Sequence, residues 1–168
     1  MIIRKANNND LPEILKIYQG ARIFMRENGN PYQWGKINPP QERTENDIKE
    51  NNLYVVESNM GILAVFFYSF GDDPTYNTIY AGKWLNNLPY GVIHRIAVSD
   101  KARGQGISGI CFEFAYNKCK NLKIDTHKDN KPMQRALEKH GFVKCGIIHL
   151  ANGDERIAYQ KSEAENEQ

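Results

Sequence analysis

Apolar residues at the start of the chain repeat with the spacing of a short strand and a long helix. Residues 2–3 begin the strand, and apolar positions then recur every three or four residues between residues 11 and 25, as one buried face of an α-helix requires. Asp10, with Glu13 three residues later, predicts a capping box where this helix begins. Turn-forming residues at 28–31 end it.

β-branched and aromatic residues dominate the middle of the chain and predict strands. A second, shorter helix over residues 40–50 precedes them. Residues 53–57 and 62–70 then flank a turn and predict an antiparallel hairpin. Residues 91–98 form the next apolar strand, and after a glycine-containing loop the apolar positions over 107–115 share one helical face.

The last third of the chain continues this alternation of strand and helix. Residues 122–127 alternate apolar and polar side chains, as a strand with one buried face does. Residues 132–139 predict a helix that ends at Gly141. Residues 142–150 and 155–159 flank Asn152-Gly153, which is a strong hairpin signal.

The order of elements is therefore β, α, α, β-hairpin, β, α, β, α, β, β. This order predicts the α/β class, with a mixed sheet and helices on both faces. A length of 168 residues fits one domain, which we place at residues 1–161. The polar residues 162–168 have nothing to bury and predict a disordered tail.

Composition and charge narrow the classes of function. The net charge is +2 and the basic residues are scattered among acidic ones, so no nucleic-acid surface is predicted. No apolar stretch approaches the length of a membrane-spanning segment or a signal peptide. Cys111, Cys119 and Cys145 have neither metal-binding nor disulfide spacing, which predicts no metal site and a reducing, cytoplasmic setting.

The loop before the third predicted helix has the pattern of an anion-binding turn. Gly104 and Gly106 allow close approach of a ligand to the backbone, and the helix that begins behind them presents unpaired N–H groups. Arg103 adds a positive charge. This combination favours a diphosphate as the ligand.

Two nucleotide-binding loops compete with this interpretation. A Walker-type loop needs Lys-Ser or Lys-Thr after its last glycine, and neither is present. Residues 104–109 do match GxGxxG, and Asp125 lies about twenty residues further on, as in dinucleotide-binding oxidoreductases. That loop normally follows its strand directly and opens its domain, whereas here the residues after it include a hairpin and cannot complete a doubly wound sheet.

Residues 98–108 resemble the acetyl-CoA loop of the GCN5-related N-acetyltransferase (GNAT) family, in which Arg or Gln, two residues, Gly, one residue and then Gly or Ala follow one another. Ser108 stands at the last position. The strand before the loop, Asn130 behind it and the later Gly141-Phe142 resemble further landmarks of the family in the right order. The resemblance implies a mostly antiparallel sheet with one splayed parallel strand pair, and acetyl-CoA as co-substrate.

The resemblance also assigns the coenzyme contacts. A backbone N–H of the strand before the loop would polarise the thioester carbonyl, and the Asn130 side chain would contact the pantetheine arm. Asn130 is equally suited to cap the following helix, and both roles are compatible. The predicted coenzyme-binding residues are Ile96, Ala97, Val98, Arg103, Gly104, Gln105, Gly106, Ile107, Ser108, Asn130 and Met133.

His94 is the predicted general base, because an imidazole titrates near neutrality and its place four residues before Val98 resembles a catalytic histidine of the arylalkylamine N-acetyltransferases. A packed, hydrogen-bonded strand histidine is the alternative. His127 could form an oriented pair with Asp125, or simply end its strand. A covalent cysteine route is disfavoured, since buried thiols are inert.

The family's usual acid is absent from this chain. Many members place a tyrosine seven residues after the asparagine, and Leu137 stands there. Tyr90, with Tyr80 and Tyr18 as further candidates, or water would then protonate the departing thiolate. The missing tyrosine also suggests an alternative function, a non-catalytic acyl-CoA-binding domain.

Aromatic residues fill the two segments that the family motifs do not explain. Trp34, Tyr80 and Trp84 could wall a site for a flat or cationic amine, and Asp125 could attract its ammonium group. Alternatively, these rings cover one edge of the sheet. The expected acceptor is a small-molecule or peptide amine of unspecified identity, and a homodimer is compatible with the sequence.

Overall fold

The computed structural model describes residues 1–163, and within that range the strands and helices follow the predicted order. They are β1 (Ile2–Lys5), α1 (Leu11–Glu27), α2 (Gln41–Lys49), β2 (Leu53–Ser58), β3 (Gly61–Phe70), β4 (Gly91–Val98), α3 (Ile107–Cys119), β5 (Asn121–Thr126), α4 (Lys131–Lys139), β6 (Val143–His149) and β7 (Glu155–Ser162). The strands form one mixed sheet in the order β1-β2-β3-β4-β5-β7-β6, which confirms the predicted class. None of the helices described is both long and apolar enough to cross a membrane.

The chain divides into two compact units. The first comprises Met1–Tyr68 and His94–Cys111, and the second comprises Ser69–Ile93 and the residues from Phe112 onward. Ser162 closes β7, so this strand extends one residue into the predicted tail. Residues 164–168 of that tail lie outside the described part of the chain.

The first unit packs α1 and α2 against the antiparallel strands β1, β2 and β3. Ile3 pairs with Val56, and Val55 pairs with Val65. Burial of aliphatic side chains between helix and sheet is the main stabilising term of such a layer. The buried core of this unit contains Ala6, Ile14, Ile17, Tyr18, Ala21, Ile48, Leu53, Val55, Ile62, Val65 and Ala97.

The start of α1 differs from the prediction, because the capping box lies one turn earlier. Asn7 caps a short 3₁₀ turn over Asn8–Asp10, and its partner in the box is Asp10. The Asp10 carboxylate also accepts a hydrogen bond from Arg4 at 2.8 Å. A charge-assisted bond of this kind is stronger than a neutral cap, so Asp10 makes no side-chain cap on α1.

The second unit is built on β7, which lies between β5 and β6. Ile124 of β5 pairs with Tyr159, and Ile147 of β6 pairs with Ile157, both antiparallel. β4 and β5 are parallel, with the residue pairs Gly91–Leu122 and Val92–Lys123. Within residues 1–163 the parallel ladder consists of these two pairs, although β4 continues to Val98 and β5 to Thr126.

The segment between β3 and β4 covers the outer edge of β6. Tyr80 and Ile147 exchange two backbone hydrogen bonds of 2.8 Å, and the N–H of Lys83 donates to the carbonyl of Cys145 at 2.9 Å. A Cβ at Gly82 would lie 1.9 Å from that carbonyl oxygen, so the close approach requires glycine. The backbone of this segment therefore lies along a sheet edge, whereas the predicted alternative concerned its aromatic rings.

Buried amides anchor the same segment to β5 and β7. The Asn121 amide donates to Asn86 Oδ1 at 3.0 Å, and the Gln160 amide donates to Asn121 Oδ1 at 2.7 Å. Gln160 in turn accepts from the N–H of Leu85 at 2.8 Å. Because each bond satisfies a desolvated polar group, the network holds residues 85–89 in one conformation.

Candidate active site

Arg95 interrupts β4 with a left-handed backbone, at φ 50°. Its guanidinium donates to both oxygens of the buried Asp47, at 2.7 and 3.1 Å, and lies 4.5 Å over the ring of Phe67. Its carbonyl accepts a hydrogen bond of 2.9 Å from the Tyr18 hydroxyl. A non-glycine residue at positive φ costs free energy, so these contacts hold the backbone bend immediately before Ile96.

The end of β4 after this bend carries three of the predicted coenzyme contacts. Ala97 is buried in the core of the first unit, whereas Ile96 and Val98 are half-buried. The N–H of Ser99 donates to the carbonyl of Leu63 at 2.8 Å, which fixes the direction in which the chain leaves the strand. The proposed backbone contacts of Ile96 and Val98 therefore belong to a firmly held segment.

The loop that follows contains two left-handed glycines and ends at the first turn of α3. Gly104 has φ 77° and Gly106 has φ 76°, and a Cβ at either would meet no atom within 4 Å. Lys101 Nζ donates to the Met60 carbonyl at 2.8 Å and ties the loop to the turn between β2 and β3. The space around the glycines is thus open beside the N–H groups with which α3 begins at Ile107.

Arg103 lies beside this turn but has partners within the protein. Its guanidinium donates to the Asp100 carboxylate through Nε and one terminal nitrogen. It also lies 4.3 Å over the ring of Phe24 in α1. The expected pairing with a phosphate would therefore require Arg103 to share its charge with Asp100.

His94 lies half-buried on β4, next to the bend. Its ring centroid is 5.7 Å from that of Phe67. Tyr18, a further candidate for the acid, is fully buried and donates its hydroxyl hydrogen to the Arg95 carbonyl. Burial raises the pKa of Tyr18 well above its ordinary value, so Tyr18 serves the bend of β4 and is unsuited to proton transfer.

In the second unit, Asn130 caps α4. Its Oδ1 accepts a hydrogen bond of 3.1 Å from the N–H of Met133, as predicted for the capping role. Leu137, which replaces the family's tyrosine, is fully buried. That position therefore belongs to the hydrophobic core in this chain.

The predicted pair between His127 and Asp125 does not form. The Asp125 carboxylate accepts a hydrogen bond of 2.6 Å from the Tyr76 hydroxyl, and His127 Nδ1 accepts one of 3.0 Å from the N–H of Asp129. Burial, followed by the charge of Arg156, lowers the pKa of His127. A neutral ring that accepts at Nδ1 carries its proton on Nε2, which leaves no lone pair for a base.

Lys123 is a buried cation that the sequence did not single out. Its Nζ lies 4.1 Å from the ring centroid of Trp84 and 3.9 Å from that of Tyr90. Burial lowers the pKa of Lys123 to about 8, against the opposing influence of Cys145 and Asp72. The alternation of apolar and polar residues in β5 predicted that the Lys123 side chain points outward. Only the many aromatic residues between β3 and β4 could have suggested that it is covered.

Hydrogen bonds to the polar atoms of Tyr90 and Trp84 also fix these two rings. The Tyr90 hydroxyl accepts a hydrogen bond of 2.9 Å from the N–H of Asp73, and burial raises the pKa of Tyr90. Trp84 Nε1 donates to the Tyr76 carbonyl at 3.0 Å. Tyr76 therefore connects Trp84 to Asp125, two of the predicted acceptor contacts.

The other two predicted acceptor contacts lie in different surroundings. Trp34 packs edge-to-face on Tyr18 in the first unit, with ring centroids 5.6 Å apart. Tyr80 in the second unit is 52% exposed and packs edge-to-face against His149 at 4.9 Å. Tyr80 is exposed, whereas Trp34, Trp84 and Asp125 are half-buried.

The cysteines are free thiols. Burial raises the pKa of Cys111 to about 12, and burial also raises the pKa of Cys145. Thiols that remain protonated at neutral pH are poor nucleophiles, which argues against a covalent route through Cys111 or Cys145.

Comparisons with known proteins identify relatives over most of the chain. The sequence model of the acetyltransferase (GNAT) family matches residues 24–142. A search of curated proteins finds no match. Among solved structures, an acetyltransferase of the GNAT family from Streptococcus agalactiae 2603 is 30% identical over 98% of this chain and 96% of its own, with a TM-score of 0.89.

More distant structures share the fold. A ribosomal-protein-alanine N-acetyltransferase from Brucella melitensis is 18% identical, covers 96% of this chain and 99% of its own, and has a TM-score of 0.67. The NatC complex bound to Gag peptide and CoA contains a chain that is 14% identical. It covers 97% of this chain and 98% of its own, with a TM-score of 0.66. The fold of this chain is therefore shared with solved acetyltransferases.

Proposed function

Since this chain belongs to the GNAT acetyltransferase family, we propose that it transfers an acetyl group from acetyl-CoA to a primary amine of a small molecule or peptide. The open turn at Gly104 and Gly106 carries this proposal, because left-handed glycines before a helix expose backbone N–H groups to an anion. The positive end of the α3 macrodipole adds to the attraction. A pyrophosphate is the group of the coenzyme that suits this turn.

The remaining coenzyme contacts follow from the same assignment. Ile96, Ala97 and Val98 would offer backbone groups to the pantetheine arm, and Asn130 and Met133 are retained as proposed contacts of the coenzyme. The short ladder between β4 and β5 is what a splayed parallel pair predicts. The free thiols accord with the cytoplasmic setting that we propose.

The chemistry requires a neutral amine that forms a bond to the thioester carbon while the carbon–sulfur bond breaks. His94 is proposed to take the proton from the attacking nitrogen, and a backbone N–H at Ile96 to stabilise the developing oxyanion. Tyr90 or water would return a proton to the thiolate, although burial raises the pKa of Tyr90 and so makes it a weaker acid. We propose no catalytic role for His127, whose Nδ1 accepts a hydrogen bond from the N–H of Asp129.

The acceptor is proposed to bind near the aromatic residues already described. Tyr80 offers an exposed ring, and Trp84 is joined through Tyr76 to the carboxylate of Asp125. Trp34 is retained as a proposed acceptor contact. A carboxylate and ring faces together favour an amine that is cationic before it enters the site.

Coenzyme binding and turnover test this function separately. CoA at a hundredfold excess over its Kd should stabilise the fold by about 2.7 kcal/mol, which raises the Tm by several degrees. Acetyl-CoA with a panel of primary amines should release free thiol faster than acetyl-CoA alone. Protection by CoA without amine-dependent release would instead identify an acyl-CoA-binding domain, and protection by NAD(P)H alone would support a dinucleotide enzyme.

His94→Ala should lower kcat at neutral pH by about 10²-fold or more, because general base catalysis is worth that much. The Kd for CoA should stay within about twofold, since the proposed role concerns the acceptor amine. Thiol-release kinetics from pH 6 to 9 measure both, with His140→Ala as the control, because His140 packs on Phe112 and belongs to none of the proposed contacts. An unchanged pH–rate profile in His94→Ala would rule out this assignment.

A further inference from the structure

A concavity of about 430 Å³ lies beside α1 in the first unit. None of its lining residues belongs to the glycine loop. It is lined by Gln19, Arg22, Ile23, Arg26 and Lys36. Its volume falls within the range of small-molecule sites in proteins. None of these residues belongs to the coenzyme or acceptor contacts proposed above.

The concavity is formed by one face of α1 and the segment that follows it. Its four helical residues are spaced at i, i+3, i+4 and i+7, which places them on one face of the helix. Arg22 Nη1 donates to the Asn38 carbonyl at 3.2 Å, and Trp34 of the same segment packs on Tyr18. These contacts hold the segment that contains Lys36 against α1.

The lining carries three positive charges and no carboxylate. Within residues 1–163, Arg22, Arg26 and Lys36 make no salt bridge, whereas Arg4, Arg95 and Arg103 of the same unit each pair with an acidic residue. Burial, followed by the charge of Arg26, lowers the pKa of Arg22. The like charges therefore repel one another, and a bound anion would relieve that repulsion.

The helix macrodipole offers a simpler reason for part of this pattern. Basic residues are favoured in the last turns of a helix, where the dipole is negative. That reason covers Arg26, which lies in the last turn of α1. It does not apply to Lys36, which lies outside any helix and yet lines the same concavity.

We propose that this concavity binds a small, multiply charged oxyanion, such as a phosphorylated or polycarboxylate group. Guanidinium groups bind phosphate and carboxylate oxygens in pairs, and the Lys36 ammonium adds a third, more flexible contact. The anion belongs either to the acceptor substrate, to the 3′-phosphate of the coenzyme, or to a separate small molecule. The charge recognised is the same in each case.

Titration with tripolyphosphate by isothermal calorimetry at low ionic strength tests the site. The double variant Arg26→Gln/Lys36→Gln should bind tripolyphosphate at least about tenfold more weakly than the wild type, and added salt should weaken wild-type binding. The matched control, Lys5→Gln/Lys16→Gln, removes the same charge from exposed residues of the same unit and should bind within about twofold of wild type. Wild-type protein that fails to bind, or equal losses in both double variants, would overturn the proposal.

Competition identifies the source of the anion. Displacement of tripolyphosphate by CoA but not by dephospho-CoA would assign the site to the 3′-phosphate, and displacement by neither would assign it to the acceptor or a separate molecule. The contrast between the two double variants is measured without coenzyme. A failure of the proposed acetyl transfer would therefore leave this test intact, and a failure here would leave the transferase proposal intact.

Discussion

Lys123 brings a positive charge into the interior of the second unit, where its ammonium group lies over the ring faces of Trp84 and Tyr90. Cation–π attraction to two rings stabilises the charged form, but loss of hydration costs more, and the pKa falls to about 8. The protonation state of this one residue is therefore coupled to folding over an accessible range of pH.

Lys123→Met should lose stability relative to wild type as the pH rises. The folded-state pKa of Lys123 lies below its unfolded value, so the unfolded chain binds more protons between about pH 8 and pH 10.5, and wild-type stability increases through that window. The difference in unfolding free energy should shift by about 2 kcal/mol in favour of wild type between pH 7 and pH 10. Urea unfolding at both pH values measures it.

The exposed Lys83→Met controls for the loss of one surface charge. Methionine keeps the apolar stem of Lys123 between the rings, so packing changes little. A difference between wild type and Lys123→Met that is equal at pH 7 and pH 10 would show that Lys123 titrates normally.

At the scale of elements, the loop between β4 and α3 depends on backbone conformation more than on side chains. Gly104 and Gly106 both adopt positive φ in open space. A side chain at either position would force an unfavourable backbone conformation, but it would not clash with neighbouring atoms. The loop can therefore be tested by changes that add only one methyl group.

Gly106→Ala should lower stability by about 1–2 kcal/mol, the cost of placing a Cβ in the left-handed region. It should also weaken CoA binding about tenfold or more, because the pyrophosphate is proposed to approach this backbone closely. Gly153→Ala is the matched control, since Gly153 has φ 92° and equally open surroundings in the β6–β7 turn. Calorimetric titration of CoA that finds equal affinity for both variants would contradict the assigned loop.

Contacts between residues far apart in the sequence decide the shape of β4. Asp47 of α2 is buried and pairs through both oxygens with Arg95, 48 residues later. Removing one member of a buried ion pair leaves the other charge desolvated and unpaired. This pair therefore makes the bend in β4 dependent on α2.

Asp47→Ala and Arg95→Ala should each destabilise the protein by about 3 kcal/mol, as expected for a broken buried pair. The double variant should lose less than the sum, with a coupling of about 1–3 kcal/mol. Glu155→Ala, which breaks only an exposed contact with His149, should cost less than about 1 kcal/mol. Additive effects of the two buried substitutions in urea unfolding would show that the pair is not a unit.

Local sequence patterns predicted the elements well, because helices and strands are chosen largely by the spacing of apolar residues and by turn-forming residues. The four helices, the Asn152-Gly153 hairpin and the glycine loop all follow from interactions within a few residues. The order of these elements was enough to predict the mixed sheet. The motif around Gly104 and Gly106 likewise lies within one short stretch of chain.

The partners of polar side chains were decided only by the tertiary structure. The sequence could not show that Asp125 accepts a hydrogen bond from Tyr76, that aromatic rings cover Lys123, or that Arg103 forms an ion pair with Asp100. Each outcome depends on which groups the fold brings within about 3–4 Å, where desolvation and charge pairing compete. Apolar spacing therefore determined the elements and their order, whereas long-range packing determined the charges and hydrogen bonds of the candidate site.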